Sequence, residues 1–212
     1  HAQRDYRQRK AMDEEQLIET AQQGDVEAFN QLVRSYEQLA YNVAYRILGD
    51  YDRAMDATQN AFLRAYRALD QFRGGSFKAW LLRITTNCCY DILRVKQRHP
   101  STPVDDLVEN PEHSRILENH SESAENGLIR EELGVSIQRG LNTLPYDQRV
   151  VVIMADIQDM SYEEIAQVTS VPLGTVKSRI SRGRRKLRDY LLEHRELLPE
   201  KFRLRYDSEE SS

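Results

Sequence analysis

The chain has 212 residues, 40% of them hydrophobic and 30% charged, and 34 acidic residues against 30 Lys and Arg leave a net charge of −4. That is apolar material for one or two domain cores, but no run approaches the roughly 18 apolar residues of a membrane span, and the basic opening segment lacks the apolar stretch of a secretory leader. The only cysteines, Cys88 and Cys89, are adjacent, which excludes a disulfide framework and a Cys-x-x-Cys metal site and makes the cytoplasm the default setting.

Residues 1–13 read as a disordered extension. From residue 14 the apolar positions keep helical spacing. Leu17, Ile18 and Ala21 open a helix that stops at Gly24-Asp25, and Phe29, Leu32, Val33 and Tyr36 resume it. Leu39, Val43, Ile47 and Leu48 make a further helical face ending at Gly49-Asp50, and Ala54, Ala57, Ala61, Phe62, Ala65 and Leu69 make the next. Gly74-Gly75 interrupts the pattern before Trp80, Leu81, Ile84, Cys88, Ile92 and Leu93 restart it. Trp80 reads as a core anchor, and no strand-like alternation persists. Residues 14–98 are therefore expected to form a helical bundle.

From residue 99 to 125 the character changes. Asp105, Asp106, Glu109, Glu112, Glu118, Glu122 and Glu125 share the stretch with Pro100, Pro103 and Pro111, and the apolar periodicity lapses. This composition predicts an acidic, flexible linker. Leu128, Ile129, Leu133, Ile137, Leu141 and Leu144 then restore the helical period up to Pro145, and Val150–Met154 predicts a short buried helix. Ser161-Tyr162-Glu163-Glu164 is a capping box, in which the Ser hydroxyl takes an orphan amide and the Glu carboxylate reaches back. Its helix turns at Thr169-Ser170, and Pro172 opens another helix. Short helix, tight turn and basic helix make a helix-turn-helix within a second domain, 126–193, followed by a tail, 194–212.

Charge is segregated onto that last helix. Pro172–Arg188 holds Lys177, Arg179, Arg182, Arg184, Arg185, Lys186 and Arg188 with no acid. If Val176 is buried, Ile180, Gly183 and Leu187 share its seam, while Ser178, Ser181, Arg182 and Arg185 face away, with Lys177, Arg184 and Arg188 on one flank and Arg179 and Lys186 on the other. Such a helix suits a DNA major groove, with outward Arg and Ser reaching bases and flanking cations meeting phosphates. An enzyme is disfavoured. His99, His113, His120 and His194 lie in the linker or tail, and there is no His-Glu-x-x-His, glycine-rich phosphate loop or nucleophile elbow. No catalytic residue, metal or cofactor is expected.

Motifs in both units then resemble those of one family, in order, from Glu15 to Leu192. Ala28-Phe29-Asn30-Gln31-Leu32-Val33 is similar to its opening segment, and Asp56 through Tyr66 to its polymerase-binding helix. Phe77 through Asn87 resembles the segment that reads and opens the −10 promoter element. Leu144-Pro145, Met160 through Ala166 and Val171 through Arg179 resemble its −35-reading domain. The family is that of the bacterial group IV, or extracytoplasmic-function (ECF), sigma factors of RNA polymerase, in the sigma-70 family.

The resemblance implies an all-α chain, with a sigma-2-like bundle and a sigma-4-like helix-turn-helix domain on either side of the linker. It implies binding to core RNA polymerase, at the β′ clamp coiled coil through Asp56, Gln59, Asn60, Leu63 and Tyr66 and at the β flap. Phe72, Arg73, Ser76, Phe77, Lys78, Arg83, Asn87 and Arg94 would bind the −10 element, with Phe72 or Phe77 as stacking surfaces. Lys177, Ser178, Arg179, Ser181, Arg182, Arg184, Arg185 and Arg188 would bind the −35 element. An anti-sigma factor is the further partner implied, and the free chain is expected to be a monomer. The competing reading is a free-standing helix-turn-helix regulator, which would dimerise on a two-fold operator.

Overall fold

Short polar side chains start the helices where the sequence places them. Asp25 accepts from the Ala28 amide at 3.0 Å to begin α2 (Val26–Leu48), and Asp50 accepts from the Arg53 amide at 2.8 Å to begin α3 (Tyr51–Arg67). Each cap satisfies an amide the helix cannot, which is worth about 0.5–2 kcal/mol. The computed structural model describes residues 14–98, 124–195 and 198, with the backbone alone at 96–98 and 124–131. The expected N-terminal extension, the linker up to residue 123 and almost all of the tail lie outside these residues.

The first unit consists of α1 (14–22), α2, α3, a 3₁₀ turn (Leu69–Gln71) and α4 (Phe77–Arg98). The two helical faces expected between Phe29 and Leu48 belong to one continuous α2, because nothing between Tyr36 and Leu39 interrupts it. Ile18, Phe29, Leu32, Phe62, Leu69, Phe72, Phe77 and Leu81 form a core closed by Trp80.

The second unit consists of α5 (Ala124–Thr143), α6 (Tyr146–Val152), a π-helical turn (Ile153–Ile157), α7 (Tyr162–Thr169) and α8 (Leu173–Glu193). The expected capping box is present, with the Glu164 amide donating to Ser161 Oγ at 3.2 Å and the Ser161 amide to Glu164 Oε2 at 2.8 Å. Ser170 turns the chain in a left-handed conformation, and Pro172 caps α8 from just outside it. Val176, Ile180 and Gly183 are buried in the predicted seam. Gly183 is required by close approach, since a Cβ there would lie 2.6 Å from Val152 Cγ2 and 3.3 Å from the Gln148 carbonyl oxygen. No strand occurs among the described residues, and no helix among them is long and apolar enough to cross a membrane.

The two units do not hang apart. Ile47, Leu48, Cys88 and Cys89 of the first share one buried cluster with Leu141, Leu144, Val150 and Ile165 of the second. Both cysteines are buried, and burial raises both thiol pKa values, so neither presents a reactive thiolate.

Candidate nucleic-acid and partner interfaces

The polar and apolar residues of α3 divide cleanly. Ala54, Ala57, Thr58, Ala61, Phe62 and Ala65 face the bundle, while Asp56, Gln59, Asn60, Leu63 and Tyr66 are all exposed. Leu63 is 55% exposed and Tyr66 43% exposed, unusual for a Leu and a Tyr with a core within reach. They line a groove of about 760 Å³ between α2 and α3, with Val26, Val33, Tyr41 and Met55 along it and Glu37, Gln38 and Gln59 at its rim. Tyr66 is held by an edge-to-face contact with Phe29, at 5.0 Å between ring centroids. The sequence pointed to the α3 side of this groove, at Gln59, Leu63 and Tyr66, and not to its α2 wall. The available signal was an aliphatic residue, Val26, directly after the Asp25 cap, and in the fold it is 55% exposed.

The −10 candidates separate into two groups. Arg83, Asn87 and Arg94 lie exposed along one face of α4, with Tyr90 between them at 49% exposure, a residue the sequence reading passed over. Arg73 is exposed on the preceding loop, where Gly74 and Gly75 both take positive φ, and Lys78 is half-buried. Phe72 and Phe77 require a correction, being only 8% and 1% exposed. Their rings pack on each other and on Trp80 at 5.3–5.7 Å, so in this arrangement they are core and offer no stacking face to a base. The apolar gain from burying two aromatic rings outweighs leaving them in water. Ser76 is also committed locally, because its Oγ accepts from the Ala79 amide at 3.1 Å and caps α4.

On α8 the outward face is as expected at Lys177, Ser178, Ser181, Arg182, Arg185 and Arg188, all exposed. Lys177, Ser181, Arg184, Arg185 and Arg188 line a cleft of about 620 Å³ that runs against Tyr162 of α7. Arg182 lies along the helix, its Nε donating to the Ser178 carbonyl at 3.2 Å. The flanks differ from the expectation. Arg184 grips the Asp156 carboxylate through Nε at 3.0 Å and Nη2 at 2.5 Å, and that partner raises its pKa further. Arg179 pairs with Asp147 at 3.0 Å and is only half-exposed. Both cations are engaged by acids of their own domain, on α6 and the π-helical turn, which leaves Lys177, Arg182 and Arg185 as the less encumbered positive groups.

An α-helical bundle with an apolar groove on one side, followed by a helix-turn-helix with a cationic outer face, defines a two-part transcription protein. Comparison with known proteins makes the assignment specific. Residues 32–99 match the family described as Sigma-70 region 2, and residues 134–187 match Sigma-70, region 4. The chain is 40% identical over 171 residues to the ECF RNA polymerase sigma-E factor of Escherichia coli strain K12, covering 79% of this chain and 88% of that one. It is 38% identical over 180 residues to the ECF RNA polymerase sigma factor SigE of Mycolicibacterium smegmatis, covering 82% of this chain and 66% of that factor. Among solved structures, the sigma factor RpoE of Bartonella quintana, in complex with the anti-sigma factor NepR, matches with a TM-score of 0.60 and 26% identity, over 78% of this chain and 98% of that one. This chain belongs to the ECF RNA polymerase sigma factors of the sigma-70 family.

Proposed function

We propose that this chain docks on core RNA polymerase through the groove between α2 and α3, presents α8 to a −35 element, and uses α4 with the loop before it to read and open a −10 element. The observation that carries the reading is the co-occurrence in one chain of both sigma-70 regions and an unfilled apolar groove on the first of them. Leu63 and Tyr66 are arranged to bury against a helix of the polymerase clamp, with Asp56, Gln59 and Asn60 setting its register. Arg182 and Arg185 would reach base edges on the −35 side, while Lys177 and Arg188 meet phosphates.

Opening the −10 element draws on binding energy alone in this scheme. Each captured base must offset the few kcal/mol needed to unstack it. With Phe72 and Phe77 buried, capture falls to the exposed backbone at Gly74-Gly75 and to Asn87, whose amide offers both donor and acceptor, with Arg73, Lys78, Arg83 and Arg94 following the strand. An anti-sigma factor, like the one bound to the Bartonella relative, is the proposed inhibitor, competing for the same groove.

Gel filtration of the chain with bacterial core RNA polymerase, without DNA, tests the first step. Stoichiometric co-elution is expected, lost in a Leu63→Asp variant, and run-off transcription from a selected promoter should follow. A chain that elutes apart from the polymerase, as a dimer binding DNA unaided, would instead be a free-standing regulator.

A further inference from the structure

We infer that Asp156 is a positioning residue for promoter recognition, gripping one edge of the Arg184 guanidinium so that the other edge meets a single phosphate of the −35 duplex. The inference rests on the −35 reading of α8 proposed above, and adds to it a residue that fixes the register of α8 on the DNA.

The backbone is shaped for this pair. Asp156 lies in the π-helical turn Ile153–Ile157, where the Gln158 amide donates to the Ile153 carbonyl at 3.1 Å. Two residues beyond the turn, Asp159 takes a positive φ of 49°. Such turns, and non-glycine residues in the left-handed region, are uncommon and gather at functional sites. The wider winding changes the direction in which Asp156 leaves the chain, and its carboxylate meets Arg184, 28 residues away.

The guanidinium is held by a fork. Nε donates to Oδ2 at 3.0 Å and Nη2 to Oδ1 at 2.5 Å, which fixes its plane. Of its five N–H bonds, both on Nη1 and the second on Nη2 stay outside that fork. The Asp156 bonds raise the Arg184 pKa further and the nearby Tyr162 hydroxyl adds to the effect, so the group keeps its charge. Arg184 remains half-exposed and lines the cleft in front of Tyr162 together with Lys177, Arg185 and Arg188. Four cations around one cleft suit a group with several anionic oxygens, and on a duplex that group is a backbone phosphate.

An acid in this place weakens DNA binding overall, because it repels the strand. What it contributes is direction. Phosphate contacts carry no sequence information themselves, but they set the register in which base contacts are made. A freely swinging Arg184 would follow phosphates in several registers. A fixed Arg184 accepts the register in which Arg182 and Arg185 reach base edges, and in the others Asp156 opposes a phosphate. Asp147 provides a matched control. It pairs with Arg179 at 3.0 Å, but Arg179 is only 24% exposed and lies outside the cleft.

The test titrates the reconstituted holoenzyme against a −35 duplex selected from random DNA and against a scrambled duplex, and maps phosphates on the first by ethylation interference. Asp156→Asn and Asp147→Asn each remove one negative charge, so both should bind the scrambled duplex about twofold tighter at low salt. Only Asp156→Asn should lower the preference for the −35 duplex, by roughly three- to tenfold, and erase interference at one phosphate. Arg184→Lys keeps the charge and loses the fork. It should lose the same phosphate and the same preference with the salt dependence unchanged. Equal preference in the two Asn variants, or an unaltered interference pattern in Asp156→Asn, overturns the positioning role. A wild-type holoenzyme that selects no −35 sequence instead removes the reading of α8 on which that role stands.

Discussion

Arg182 and Lys177 stand five residues apart on α8, yet they should fail in different ways. Arg182 lies on the outward face and can swing from Ser178 to a base edge. Arg182→Ala should weaken binding to the −35 sequence by about 1–3 kcal/mol and relax discrimination at one position. Lys177→Ala should weaken binding to all DNA alike and flatten the salt dependence by about one counterion. Titration of −35 and scrambled duplexes at several salt concentrations separates the two, and a uniform loss for Arg182→Ala would show that α8 sits in the groove with another face. On α4, Asn87→Ala should leave polymerase co-elution unchanged and reduce permanganate reactivity at the −10 element; lost co-elution would make Asn87 structural. At this scale the sequence was informative about which positions carry charge and less so about which charges are free. The pairing of Arg184 with Asp156 spans 28 residues and the pairing of Arg179 with Asp147 spans 32, and no periodicity within one helix signals a partner at that distance. Phe72 and Phe77 show the same limit. An aromatic beside a glycine loop reads alike whether it faces solvent or the core.

At the level of the elements, the signals were local and therefore legible. The Ser161–Glu164 box, the glycine break at 74–75 and the seam of α8 all depend on residues within a turn or two of each other. The π-helical turn at Ile153–Ile157 had no such signature in the run of aliphatics that contains it; it packs on α2 and α7, which lie far from it or beyond it in the sequence. Gly183 makes the packing of α8 testable. Gly183→Ala places a methyl 2.6 Å from Val152 and against the backbone of α6, so it should cost about 1–3 kcal/mol despite the better helix propensity of Ala. Urea denaturation measures this, and a stabilised variant would mean that α6 and α8 can separate without loss. The capping box adds a pH dependence. The bonds from the Ser161 amide and hydroxyl hold the Glu164 carboxyl below its ordinary value. A depressed folded-state pKa means that its contribution is complete above the unfolded value, about 4.3, and is lost as pH falls through the lower folded one. Ser161→Ala should therefore lose about 0.5–2 kcal/mol near neutrality, and less of it at acidic pH.

In the whole molecule, the relation between the domains was the part the sequence hid. An acidic, proline-containing linker predicts two flexibly joined units, and nothing in the spacing of Gln138, Tyr146 or Arg149 marks them as donors to the first unit, where they bond the carbonyls of Arg46, Thr86 and Ile47 at 3.1, 2.6 and 2.6 Å. Their acceptors are backbone carbonyls, which every residue possesses, so no complementary motif exists to be found. The shared cluster from Ile47 to Ile165 nevertheless gives the two units one contiguous interior. A shared interior couples their unfolding, because exposing one face of the contact costs the hydrophobic gain of both. The free chain should accordingly melt in a single calorimetric transition whose van't Hoff enthalpy equals the calorimetric one. Tyr146→Phe with Arg149→Ala should split that transition into two, the second domain melting first, since Arg149 also serves carbonyls within it. Two transitions in the free wild-type chain would show that each domain sustains its own core, and that the contact between them is weaker than its hydrogen bonds imply.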